Sequence, residues 1–272
     1  MIDFFFDTAD DVYVRELWSR LKGNFDPKHV RGITTNPNAF KKMNMFRLSE
    51  WETQLTKLCK VVSDIREDDL GVVYVQAPIS KMTPEEVLRW AKHISRFSDG
   101  VTKLGLKIPP FKPLLEIVDQ LNKYMEVNVT GVSDCSTAIN CFSYPVKYVS
   151  MIPGRMEEKG IDAKSHVQFV NQRMSVGRGQ DMITGSMRTI EGLRWVSEYG
   201  TVPTIGSRVW DLIFDEMGVE EFAALEYKDQ DSWIKFSPHI SDTNTQLSVD
   251  FFEQMDECGV GVFDQFFDQA SR

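Results

Sequence analysis

Residues 103–110 read KLGLKIPP. A short apolar run carries Lys107 near its end and then stops at two prolines, the punctuation of a strand giving way to a loop. An ammonium drawn into a folded interior is costly unless it is paired, loses its proton or reaches water. Lys107 therefore needs a use, and its surroundings in the chain decide which. Working outward, short β-branched or aromatic runs alternate with longer segments whose apolar residues sit three and four apart. The runs cover residues 2–6, 30–33, 71–75, 101–108, 125–129, 147–151, 181–184 and 201–203; residues 113–124 and 165–174 have the spacing of amphipathic helices. Eight strand-helix units in about 220 residues predict an α/β fold, a (β/α)8 TIM barrel. A doubly wound open sheet is the alternative; no G-x-G-x-x-G follows the first run, so its dinucleotide-binding version has no support.

The 272 residues, 42% of them hydrophobic, can bury one core of barrel size. We expect a catalytic barrel over residues 1–220 and a C-terminal helical extension over 221–272. In the extension Phe251, Phe252, Met255, Phe263, Phe266 and Phe267 fall at helical spacing. They read as two short helices separated by Gly259 and Gly261. Such aromatics either cover the barrel's own surface or form a contact between subunits.

A net charge of −9, from 40 acidic against 31 basic residues, argues against nucleic acid as a partner. No run approaches the roughly 18–20 apolar residues that span a bilayer. The opening MIDFFFDTAD has acids where a secretory leader carries bases, so the expectation is a soluble, cytoplasmic protein with no membrane partner. Cys59, Cys135, Cys141 and Cys258 lack C-x-x-C spacing, which points to reduced thiols and to neither a zinc site nor a disulfide framework.

Barrel chemistry sits at the C-terminal ends of the strands. There the sequence places Asp7 and Thr8, then Thr34, Thr35 and Asn36, then Tyr74 and Gln76, then Lys107. Asn128 and Thr130, Ser150 and Arg155, and Ser186 and Arg188 follow in the second half. Each has a plain explanation: Asp7 or Thr8 caps a helix, TTNP is a turn, and a lone strand-end lysine snorkels. Their coincidence at successive strand ends is harder to dismiss. One amine, one carboxylate, several hydroxyls and amides and two guanidiniums suit a phosphorylated polyol. The GRGQ of residues 177–180 also suits a phosphate, although it reads more simply as a turn before the seventh run.

The segments FFFDTAD, GITTNPNAF, GLKIPP, VNVT, YVSMIPGR and TGSMR, in this order, resemble the transaldolase and fructose-6-phosphate aldolase family of class I aldolases. The resemblance covers residues 2–217. It implies transfer of a dihydroxyacetone unit between sugar phosphates, without cofactor or metal. Lys107 becomes the Schiff-base lysine and Asp7 the group that exchanges the C4 hydroxyl proton. Asn36, Asn128 and Ser150 hold the dihydroxyacetone hydroxyls, Thr34 and Thr130 position a water, and Arg155, Ser186 and Arg188 grip the phosphate. The resemblance also implies a homo-oligomer. Two positions depart from it. Tyr74 stands where transaldolases carry a water-holding glutamate and the aldolases a glutamine; a shift of register would put Gln76 there instead. Our expectation is that Tyr74 holds the water or acts as acid and base. Ile152 replaces the phenylalanine of transaldolases and the catalytic tyrosine of the aldolases. The alternatives are an aldolase that releases free dihydroxyacetone and a non-catalytic sugar-phosphate-binding barrel.

Overall fold

A computed structural model describes residues 1–66, 71–174, 179–227 and 245–269. Eight parallel strands close into a barrel in sequence order, β1 pairing with both β2 and β8. They are β1 (Phe4–Asp7), β2 (Val30–Thr34), β3 (Val72–Gln76), β4 (Lys103–Ile108), β5 (Glu126–Val132), β6 (Tyr148–Met151), β7 (Asp181–Thr184) and β8 (Val202–Gly206). The closed order rules out the doubly wound sheet. Every apolar run of the sequence contains a strand, and the largest differences are at two C-terminal ends. β5 continues to Val132, and β8 passes through Pro203 to pair with β1 as far as Gly206.

The helices of the first half are α1 (Asp11–Leu21), α2 (Pro37–Lys42), α3 (Leu48–Arg66), α4 (Pro84–Ile94), α5 (Lys112–Leu115) and α6 (Val118–Leu121). The second half adds α7 (Cys135–Phe142), α8 (Pro153–Glu158), α9 (Ala163–Met174), α10 (Ile190–Glu198), α11 (Ser207–Leu212), α12 (Val219–Ala223) and α13 (Thr245–Gln269). The expected helix over 113–124 is split into α5 and α6, with Pro113 in the first turn of α5. No described helix is long and apolar enough to cross a membrane.

Inside the barrel, Phe5, Tyr74 and Tyr148 bring their rings within 5.7–5.9 Å of one another, edge to face. Val72, Ile183 and Val202 complete this cluster. It leaves no room for a side chain at residue 105: a Cβ on Gly105 would lie 2.2 Å from Tyr74 Cε1. The glycine in KLGLKIPP is thus the space taken by Tyr74. Between strands and helices lies a second, larger core holding the fully buried Trp51, Trp90 and Trp210.

The C-terminal aromatics correct one expectation. α13 is a single helix that runs through Gly259 and Gly261. Glycine inside a helix costs about 1 kcal/mol relative to alanine. Here it permits a close approach, because a Cβ on Gly259 would lie 1.7 Å from the Pro78 carbonyl oxygen. The helix packs on this chain's own barrel, against β5, α2 and α3. Phe266 meets Trp90 at 5.3 Å, and Phe252 lies against Gly131, whose positive φ and crowded Cβ position admit no side chain. Asp256 accepts hydrogen bonds from Ser80 N at 2.6 Å and Ser80 Oγ at 2.7 Å. One face of the helix is therefore spent on the barrel mouth.

Candidate active site

Lys107 projects from the end of β4, where Gln76 of β3 and Asn128 of β5 are its register partners. It is 6% exposed, and its Nζ donates to the Thr35 carbonyl at 3.0 Å. Among the described residues no carboxylate forms an ion pair with it. Burial pushes its pKa below the ordinary lysine value, and the charge of Asp7 opposes that shift in part. The two groups, from β4 and β1, are thus close enough to sense each other across the barrel mouth.

Asp7 is not a helix cap. Asp10 caps α1, accepting from the backbone N–H of Val12 and Tyr13. Asp7 Oδ1 instead accepts from Thr34 Oγ1 at 3.1 Å, so the 2.6 Å contact between Thr34 Oγ1 and Thr204 Oγ1 has Thr204 as donor. Asn36 does act as a cap: its Oδ1 accepts from Ala39 N at 2.9 Å, with Pro37 following in the first turn of α2. The plain reading of TTNP holds for that oxygen. Its NH2 group remains for the cavity that Asn36 lines.

Asn128 is fully buried, and its Oδ1 accepts from Ser150 Oγ at 2.8 Å. Among the described residues its Nδ2 has no protein partner, and neither does the Oε1 of buried Gln76. Buried polar atoms are rarely left unpaired without a reason. Here an unpaired donor and an unpaired acceptor stand on either side of the lysine. Thr130 is buried near the end of the same strand as Asn128.

A cavity of about 660 Å³ opens at this end of the barrel, with Asp7, Thr8, Asn36 and Thr204 among its lining residues; the buried Lys107, Asn128, Thr130 and Ser150 are not part of that lining. The same cavity reaches Arg155, Ser186, Arg188 and Arg208. Gly154 makes this end possible: a Cβ there would lie 1.7 Å from the Ser186 carbonyl oxygen, so the turn after β6 abuts the loop after β7. Ser186 itself holds φ at 57°. Arg188 Nε donates to Glu158 Oε1 at 2.8 Å, and that bond, with the charges of Arg188, Arg155 and Arg208, holds the Glu158 carboxyl below its usual range. The partner of Glu158 is thus Arg188. Arg155 Nη2 donates to Gln254 Oε1 at 2.8 Å, while Arg155 Nε is buried without a protein partner among the described residues. Burial, and after it the neighbouring Arg188, lowers the Arg155 pKa.

Tyr74 lies in the inner core of the barrel. Its ring lies over Gly105, one inward step below Lys107, and its hydroxyl donates to Glu126, the register partner of Gly105. Burial, reinforced by the Glu126 charge, raises the phenol well above its usual pKa. Tyr74 is therefore a proton-holding member of the core, and the β3 side chain level with Lys107 is Gln76. The cavity also contains residues the sequence reading did not select: Thr204, Arg208 and Gln254. A signal for Arg208 was present, since GSR at 206–208 echoes GSMR at 185–188. Ending the eighth run at 203 hid it. Ile152 is buried beyond the end of β6, and residues 177 and 178 of GRGQ lie outside the described residues.

No family model matches the chain. It is 24% identical over 228 residues to a protein of Methanococcus maripaludis named "Probable transaldolase", covering 81% of this chain and 95% of that one. A Streptococcus pyogenes protein of the same name is 23% identical over 199 residues, covering 72% and 82% of the two chains. Among solved structures, dihydrodipicolinate synthase from Rhodopseudomonas palustris superposes with a TM-score of 0.52 at 11% identity, over 82% of this chain and 77% of that one. That likeness concerns the barrel alone.

Proposed function

We propose that the protein is a class I aldolase of the transaldolase type, which moves a dihydroxyacetone unit from a ketose phosphate to an aldose phosphate through an imine on Lys107. The observation that carries this reading is Lys107 itself: a buried amine without a carboxylate partner among the described residues, flanked by the unpaired amide atoms of Asn128 and Gln76. The names of the distant relatives and the strand-end segments point the same way. A free lysine, with a pKa of about 10.4, is neutral in only about one part in a thousand at pH 7.4. Burial raises that fraction and so makes the nucleophile.

In this mechanism neutral Lys107 Nζ attacks C2 of the ketose, and loss of water from the carbinolamine leaves an iminium. Asp7 takes the C4 hydroxyl proton, the C3–C4 bond breaks, its electrons move into the iminium, and an aldose phosphate departs. The enamine left on Lys107 attacks the acceptor aldehyde, whose oxygen takes the proton back from Asp7. Water then hydrolyses the imine. Asn128, with Ser150 on its oxygen, and the NH2 group of Asn36 hold the three-carbon fragment; Thr34 orients Asp7. Arg155, Ser186 and Arg188, joined by Arg208, hold the phosphate, by paired charge-assisted bonds where guanidinium geometry allows.

Gln76 favours a second reading. By the resemblance, a glutamine at the strand-three position belongs to the branch that releases free dihydroxyacetone. Incubation with fructose 6-phosphate, with and without erythrose 4-phosphate, separates the two. The transaldolase reading expects glyceraldehyde 3-phosphate and sedoheptulose 7-phosphate only when the acceptor is present. Free dihydroxyacetone accumulating without it would establish the second reading, and no turnover in either arm would refute both.

A further inference from the structure

Arg155 and Arg188 point into the same cavity but are held in different ways. Arg188 donates to a carboxylate, that of Glu158. Arg155 donates instead to the neutral amide oxygen of Gln254, and its guanidinium lies 5.0 Å from the Phe251 ring centroid. Phe251 and Gln254 belong to adjoining turns of α13, whose residues include no Lys, Arg or His. Around them stand Asp250, Glu253, Asp256 and Glu257. In this acidic stretch the side chain that meets Arg155 is an amide. A glutamate of the same shape would reach the same nitrogen and cancel its charge.

The helix is well anchored for such a task. Asp256 is bonded to Ser80, Gly259 abuts Pro78 and Phe252 covers Gly131, so Gln254 stands on a fixed element beside the mouth. Arg155 Nε is buried and has no protein partner among the described residues. We propose that Gln254 is a positioning residue: it fixes the Arg155 guanidinium without neutralising it, so that Arg155 and Arg188 together receive a dianionic phosphate. This rests on the reading of the cavity as a sugar-phosphate site.

Two substitutions separate orientation from charge. Gln254→Leu removes the hydrogen bond and keeps the cation free. Gln254→Glu keeps the bond and neutralises the cation. Gln254 is exposed, so both variants fold, which the melting temperature checks. Inorganic phosphate is titrated into each protein by calorimetry, KM and kcat are measured with fructose 6-phosphate, and borohydride trapping at Lys107 is measured with unphosphorylated dihydroxyacetone.

The expected result is a loss of phosphate affinity of about two- to tenfold for the leucine variant. The glutamate variant loses at least as much. KM rises in the same order, and kcat and trapping of dihydroxyacetone follow the unmodified protein. The proposal is overturned if either variant binds phosphate as the unmodified protein does, or if trapping declines in parallel with phosphate affinity. An unmodified protein that traps dihydroxyacetone but ignores phosphate also overturns it, while leaving the imine reading intact. One that does neither removes the function reading and this proposal together.

Discussion

Lys107 and Tyr74 face the same barrel interior one step apart, yet burial acts on them in opposite ways. The lysine becomes easier to deprotonate and the phenol harder, because burial disfavours whichever form carries charge. Lowering the Lys107 pKa has a cost in stability. Between its folded and unfolded values the unfolded chain binds the extra proton, so stability rises with pH across that window. Lys107→Met should therefore be more stable than the parent at neutral pH, with an advantage that shrinks as pH climbs toward the ordinary lysine value. Melting temperatures across that range test this, and a constant difference would contradict it. For Tyr74→Phe we expect turnover close to the parent's and a loss of about 1–3 kcal/mol, because Glu126 loses its buried donor. A collapse of kcat without loss of stability would return Tyr74 to the chemistry. At this scale the sequence showed residue types and strand ends, but not which of Tyr74 and Gln76 stands level with Lys107. Both point inward, and only the space above Gly105 assigns the lower layer to the tyrosine.

Among the elements, the strands were the most legible, since a strand buried on both sides announces itself as a short apolar run between turns. In β8, Pro203 argues against a central strand, yet the pairing with β1 begins just after it, at Thr204. A run ended at Pro203 leaves out Thr204 and Arg208. The continuity of α13 is hidden for a different reason: Gly259 and Gly261 look like a helix break, and the contact that requires a glycine at 259, the Pro78 carbonyl, lies far away in sequence. Gly259→Ala should raise local helix propensity and still destabilise the protein, by about 1–3 kcal/mol, because the added methyl cannot fit. The variant should also weaken sugar-phosphate binding, since α13 carries Gln254. A variant more stable than the parent would show that the helix does not need this approach.

Over the whole molecule, a chain of net charge −9 concentrates Arg155, Arg188 and Arg208 at one end of a single cavity. On the proposed function, a sugar phosphate is repelled by the average surface and drawn to this pole, so its kcat/KM should fall as ionic strength rises. An unphosphorylated aldehyde acceptor should show little of that dependence; equal salt sensitivity for both would place the effect elsewhere. The central claim is the covalent role of Lys107. The most direct measurement is borohydride reduction in the presence of fructose 6-phosphate, followed by peptide mass spectrometry. The account predicts a reduced dihydroxyacetone adduct on the peptide carrying Lys107, absent in Lys107→Met. An unmodified Lys107 in a protein shown to bind the sugar phosphate would contradict it and leave a binding barrel in place of an enzyme.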